Sequence, residues 1–158
     1  MNHWVRINMC GILGLIDSRI ENNFQEGYEC LFSRGPDAQN FWRDKNITLA
    51  HTRLSVIDLI EGNQPMISED GRFVLVFNGE IYNFQELRSV LRNSNFNFKT
   101  NSDTEVVLNG FIKWGKKVVR HLDGMFAFAI WDKEKKSLFA ARDRVGIKPF
   151  FYSESDGF

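Results

Sequence analysis

Hydrophobic and polar positions along the chain alternate between two rhythms, and the switches between them predict the elements. Ile12-Leu13-Gly14-Leu15-Ile16 is a short apolar run bounded by Asp17 and Ser18, the pattern of a buried strand. Ile20, Phe24, Tyr28, Leu31 and Phe32 then recur at near-helical spacing and predict a helix over residues 20–32 with one apolar face. Gly27 weakens that helix by about 1 kcal/mol relative to alanine. Ser33-Arg34-Gly35-Pro36-Asp37 stops it, because Gly and Pro together cannot continue the hydrogen-bond ladder. Strands are expected around residues 40–43, 47–51 and 54–59. Phe73-Val74-Leu75-Val76-Phe77, apolar on both faces, reads as a central strand. Asn78-Gly79 is expected to break it, with Ile81, Phe84, Leu87 and Leu91 carrying the helix that follows.

Ser102-Asp103-Thr104-Glu105 is a capping-box pattern that opens a helix through Val106, Leu108, Phe111 and Ile112. Asp123-Gly124 turns into a second doubly buried strand over residues 125–131, and Asp132 to Lys136 form a charged hairpin leading into residues 138–141. A last strand is expected over residues 149–152. Strands in clusters, with helices between the groups, argue an α+β layered domain and not a strictly alternating one. Asp156-Gly157 is a hairpin-turn signal followed only by Phe158, so the chain is expected to stop inside its domain, short of a returning strand.

Composition narrows the classes. With 158 residues the chain suffices for one domain and a sizeable core, and 15 Phe and 4 Trp belong to a packed protein, not a disordered one. Twenty basic and 20 acidic residues cancel, so no overall field draws nucleic acid or an anionic membrane. No apolar run approaches the roughly 20 residues that span a bilayer, and residues 1–8 lack the apolar stretch of a secretory signal. Cys10 and Cys30, without an export signal, read as reduced thiols of a cytoplasmic protein. His3, His51 and His121 show no metal-ligand spacing with them, so no metal is expected.

The candidate chemistry begins at Met9-Cys10-Gly11-Ile12. Processing just before Cys10 would put a nucleophile and its base, the α-amine with a pKa of about 7.7–8.0, on one residue. Otherwise Cys10 is a small hydrophobe opening a strand. Asn78-Gly79-Glu80 could present an amide and a backbone N–H as an oxyanion hole, or be an ordinary turn. Arg53, within His51-Thr52-Arg53-Leu54-Ser55, could hold a carboxylate with a bidentate fork or form a structural ion pair. Asp103 could bind an ammonium or simply favour its helix N-terminus. Arg34 and Asp37 read as structural. An activated thiol, an oxyanion hole, a carboxylate binder and an ammonium binder together suit an amino acid with a side-chain carbonyl.

Seven blocks stand in an order that resembles a known family: Met9-Cys10-Gly11-Ile12, Arg34-Gly35-Pro36-Asp37, His51-Thr52-Arg53-Leu54-Ser55, Asn78-Gly79-Glu80-Ile81-Tyr82-Asn83, Ser102-Asp103-Thr104-Glu105, Gly124-Met125-Phe126-Ala127-Phe128-Ala129, and Arg142-Asp143-Arg144 with Gly146-Ile147-Lys148-Pro149. They are similar to the glutaminase domain of glutamine-dependent asparagine synthetase, a class II glutamine amidotransferase of the N-terminal-nucleophile hydrolase fold. The resemblance covers residues 9–158 and implies a four-layer αββα sandwich, with residues 1–8 as an extension or a misassigned start. It implies Cys10 as nucleophile, Asn78 and the Gly79 N–H as oxyanion hole, Arg53 on the glutamine α-carboxylate, Asp103 on the α-ammonium, and Glu80, Val56 and Ile57 beside the ligand. No cofactor is implied for these residues. ATP and Mg2+ belong to a synthetase domain whose Ser-Gly-Gly-x-Asp-Ser loop is absent here. The implied partners are L-glutamine, that synthetase domain and a second copy of the chain.

Two departures stand out. Ser33 occupies the place of the family's histidine, which bears on local packing. Eight residues precede Met9, which favours translation from Met9 with methionine clipping over a removable propeptide. The expected activity is glutamine hydrolysis through a Cys10 thioester. The alternatives are a glutamine-binding regulatory module and an inactive truncated fragment.

Overall fold

The computed structural model describes residues 9–16, 21–54 and 63–154. Two antiparallel sheets lie face to face. The first orders its strands β1 (Gly11–Ile16), β3 (Ile47–Arg53), β2 (Ala38–Asp44). The second runs β4 (Met66–Ile67), β5 (Phe73–Ile81), β6 (Gly124–Asp132), β7 (Ser137–Arg142). Helix α1 (Glu21–Glu29) packs on the outer face of the first sheet, while α2 (Phe84–Arg92), α3 (Asp103–Trp114) and a 3-10 turn at Gly115–Arg120 cover the second.

The layering follows from the period of two in each strand. On β5, Val74 and Val76 face the first sheet, meeting Ile47 and Leu49 of β3 and Ala129 and Trp131 of β6 in the inter-sheet core. Leu75 and Phe77 face the opposite way, onto Leu87, Leu91, Val106 and Val107 of the helices. On β3, Ala50 turns outward to Phe24 and Tyr28 of α1. Three cores between four layers give the αββα sandwich expected from the sequence.

Several boundaries differ from expectation. The first helix ends at Glu29, and turns follow through Arg34 because Gly35 and Pro36 cannot extend it. The strand expected to end at residue 51 runs to Arg53. Of the strand expected over 54–59, only Leu54 lies within the described residues, and it is not in a strand. Asn78-Gly79 does not break its strand: both residues pair with Ala127 and Phe126, and β5 continues to Ile81. Residues 149–152 form no strand, and Phe151 is 90% exposed. Asp156-Gly157 lies outside the described residues. Ser102 caps α3, its hydroxyl accepting from the Glu105 N–H at 3.4 Å. Glu105 does not close the box; its carboxylate instead takes the Lys99 and Thr100 N–H groups at 2.9 and 2.7 Å.

Phe128 is wholly buried at the centre of β6. Phe128→Ala should lower unfolding stability by about 3–5 kcal/mol in denaturant titrations. Phe151→Ala, at an exposed position, should stay within about 0.5 kcal/mol of the parent.

Candidate active site

Cys10 immediately precedes β1 and lies beside the end of β3. Its Sγ accepts the Leu54 N–H at 3.3 Å, and the Arg34 Nη2 donates to its carbonyl at 3.4 Å. Gly11 fixes this approach. Its N–H donates to Thr52 Oγ1 at 3.1 Å, the Thr52 hydroxyl donates to the Leu31 carbonyl at 3.0 Å, and a Cβ on Gly11 would sit 2.6 Å from that oxygen. The Ser33–Asp37 turn is thereby tied to the end of β3, where the Asp37 N–H also donates to the Arg53 carbonyl at 3.0 Å. Burial raises the Cys10 thiol pKa, outweighing the Leu54 N–H and the charges of Arg53 and Lys148 that favour the thiolate.

The second half of the site is the edge of β5 away from β6. Alternate backbone groups of an antiparallel strand point to opposite edges. The Phe77 N–H donates to Gln64 Oε1 at 2.6 Å and the Ile81 N–H to Asp103 Oδ2 at 3.0 Å, both on this edge. The Tyr82 N–H and Arg72 carbonyl, on the other parity, bond toward β6. The Gly79 N–H therefore points to the same edge as those of Phe77 and Ile81, between the two side-chain acceptors. β4 does not reach this stretch, since it pairs only with Val74 and Leu75. Glycine is required here by β6: a Cβ would collide with the Met125 carbonyl and lie 2.7 Å from Phe126 Cα. The reason differs from the close ligand approach expected at a turn.

Asn78 has the parity of Val74 and Val76, which places it on the inter-sheet side at the end of that core. It is 5% exposed, and its side-chain amide makes no hydrogen bond with the described residues. His51, two residues before Arg53 on the same face of β3, lies against the Phe77 carbonyl, so it links the strand bearing Arg53 to the strand bearing Asn78. Burial, with help from the Arg53 charge, lowers its pKa from 6.5 to about 4, leaving the ring neutral. Gln64 closes the same junction, its Nε2 donating to the Phe77 carbonyl at 3.1 Å. Arg53 is buried, with its Nη1 donating to Asn63 Oδ1 at 3.2 Å. Asp103 is buried at the start of α3. Desolvation raises its pKa, the Ile81 N–H opposes that, and the nearby Glu80 charge adds to it.

Cys10 and Arg53 thus stand together, as do Asp103, Glu80 and Ile81, with Asn78 and Gly79 on the strand next to the latter group. Val56 and Ile57 lie outside the described residues. Gln64 escaped the sequence reading, and His51, Thr52 and Lys148 stood in its motif blocks without a role, because a buried polar side chain in a tertiary contact leaves no periodic trace. Arg34, read as structural, touches the Cys10 backbone. Among the described residues no group of three or more His, Cys, Asp or Glu is placed to hold a metal ion, and no helix is long and apolar enough to cross a membrane.

Comparison with known proteins shows the family to which the chain belongs. The family model described as a glutamine amidotransferase domain matches residues 9–158. Asparagine synthetase [glutamine-hydrolyzing] 3 of Bacillus subtilis (strain 168) is 41% identical over 153 residues, covering 92% of this chain and 25% of its own length. Amidase chry2 of Gibberella zeae is 38% identical over 138 residues, covering 85% of this chain and 20% of its own. The chain therefore spans a quarter or less of the length of these two relatives. The solved structure of glutamine phosphoribosylpyrophosphate amidotransferase from B. subtilis, complexed with ADP and GMP, shares the fold. Its TM-score is 0.59 at 24% identity, covering 90% of this chain and 32% of that one.

Two of the buried titratable groups, His51 and Asp103, pull stability in opposite directions. His51 has its folded pKa below the unfolded one, so its contribution is complete above pH 6.5 and is lost as pH falls toward about 4. That loss should approach about 3 kcal/mol, and His51→Gln should flatten this part of a stability-versus-pH curve. Asp103 has a raised folded pKa, so its contribution is complete below 3.8 and is lost as pH rises through the folded value. Asp103→Asn should accordingly be at least as stable as the parent at pH 7.

Proposed function

The chain belongs to the glutamine amidotransferase domain family, and we propose that it hydrolyses L-glutamine to glutamate and ammonia through Cys10. The observation that carries this reading is the pair of donors on β5: a buried Asn78 amide without a partner among the described residues, next to a Gly79 N–H on the strand edge that β4 does not reach. They suit charge that develops on a substrate oxygen.

The cycle begins once Met9, as the translation start, is clipped and the α-amine of Cys10 is free. The amine takes the thiol proton, and sulfur adds to the side-chain carboxamide carbon of glutamine. The carbonyl oxygen becomes an oxyanion held by Asn78 and the Gly79 N–H. As the C–N bond breaks, the ammonium form of the amine returns the proton to the leaving nitrogen, so ammonia departs and a γ-glutamyl thioester remains. Water, deprotonated by the same amine, attacks the thioester; glutamate leaves and the thiol is restored. Arg53 takes the substrate α-carboxylate, while Asp103 with Glu80 takes the α-ammonium. Val56 and Ile57, outside the described residues, keep the role the resemblance implies, beside the ligand.

Within a longer protein of the kind seen in the B. subtilis relative, this ammonia would serve a synthetase that uses ATP and Mg2+ to convert aspartate to asparagine. A cytoplasmic setting and a homodimer fit that role. A second reading follows from Met9, which acylates the Cys10 nitrogen and whose Sδ accepts from Lys148 Nζ at 3.2 Å. In that unprocessed form the chain would hold glutamine without cleaving it.

A diazo-ketone analogue of glutamine should label Cys10, and not Cys30, in protein whose N-terminus is Cys10 by intact mass. Cys10→Ala should abolish ammonia release, and Asn78→Ala should lower the rate about 10²–10³-fold. Intact mass that finds Met1 retained in mature protein binding glutamine without ammonia release would favour the second reading.

A further inference from the structure

Lys148 is a buried lysine that the mechanism above does not use. It is 6% exposed, and among the described residues no carboxylate forms an ion pair with it. Its Nζ donates instead to the thioether of Met9, 139 residues away in sequence, at 3.2 Å. Asp143 delivers it there. The Asp143 carboxylate, 4% exposed, accepts the N–H groups of Val145, Ile147 and Lys148 at 3.2, 2.8 and 2.9 Å and that of Phe126 at 3.3 Å. One carboxylate therefore folds the loop after β7, pins it to β6 and aims the lysine at the start of β1.

Burying a cation without an anion is expensive, and such a charge favours any site where an anion can form beside it. The thiol of Cys10 is one residue from the Met9 contact. The other charged groups facing Cys10 are Arg53 from β3 and Arg34, whose Nη2 reaches the Cys10 carbonyl. All three are cations. Removal of Met9 takes away the thioether and leaves the Lys148 ammonium on the side where the new α-amine appears.

We infer that Lys148 is a positioning residue for the nucleophile: its ammonium, set beside Cys10 by the Asp143 loop, biases the residue toward thiolate and, after processing, toward a neutral α-amine. Both effects have one sign, because a nearby cation stabilises an anion and destabilises a second cation. The part concerning the amine rests on the proposed glutaminase reading; the part concerning the thiol does not.

The test is the pH dependence of Cys10 alkylation by iodoacetamide, followed by mass mapping so that exposed Cys30 is scored separately. In the chain as given, Lys148→Met should move the inflection about one unit higher, making alkylation at neutral pH about tenfold slower. Lys148→Arg should keep the parental inflection. Lys148→Gln provides a second neutral variant should the first fail to unfold cooperatively. In processed chain, the acidic limb of the kcat/KM profile for ammonia release should move upward with the same substitutions. An unmoved alkylation inflection in a folded neutral variant would overturn the inference, as would an equal shift in Lys148→Arg. Alkylation that shifts as expected in protein releasing no ammonia would leave the inference standing and sink the glutaminase reading instead.

Discussion

The packing between the two sheets constrains everything else in the molecule. Strand alternation commits every second residue of β3 and β5 to that interior, and the apolar positions Ile47, Leu49, Val74 and Val76 fix the register in which the sheets meet. Once those four are buried, the residues that continue each row beyond the apolar part have no choice of side. His51 and Arg53 extend one row, and Asn78 extends the other. Polar chemistry therefore gathers where the hydrophobic filling runs out. A slip of one residue in either strand would send every one of these groups to an outer face.

Charge is distributed with equal economy. Arg53 and Lys148 act on the sulfur and Arg34 on the carbonyl of the same residue, whereas Glu80 and Asp103 stand together at the end of β5. A zwitterion has matching asymmetry, one end for each group. Partial dehydration strengthens both attractions, since Arg53 and Asp103 are each 6% exposed. The cost appears in the ground state: burial alone would protonate Asp103 more readily and keep the thiol protonated. Sites that bind charge commonly carry such destabilisation within the protein that holds them.

Sequence patterning conveyed the layers well, because each rests on apolar periodicity. Strands β1, β5 and β6 and helix α3 all follow from runs whose rhythm survives in isolation. The motif residues Cys10, Arg53, Asn78, Gly79 and Asp103 were legible for a different reason, their chemical types in a fixed order. What escaped was anything decided by tertiary contact. Asn78-Gly79 carries a turn signature, yet β6 supplies a partner for both residues and overrides it. The two-residue strand β4 is too short for any period to register. Aromatic residues at 149–152 look like a strand until no neighbour pairs with them. Lys148 could not be recognised as buried, because nothing local to it says so.

The edge of β5 that β4 does not reach has a last consequence, for solubility. A strand with exposed amide groups is a template on which foreign chains can grow, and proteins usually blunt such edges with charge or proline. Here Gln64 and Asp103 occupy the rungs at Phe77 and Ile81, leaving the rung at Gly79 isolated between them. A small molecule can use a single rung. An extended polypeptide needs several in succession, and with Gln64 and Asp103 on the neighbouring rungs this part of the edge does not offer them.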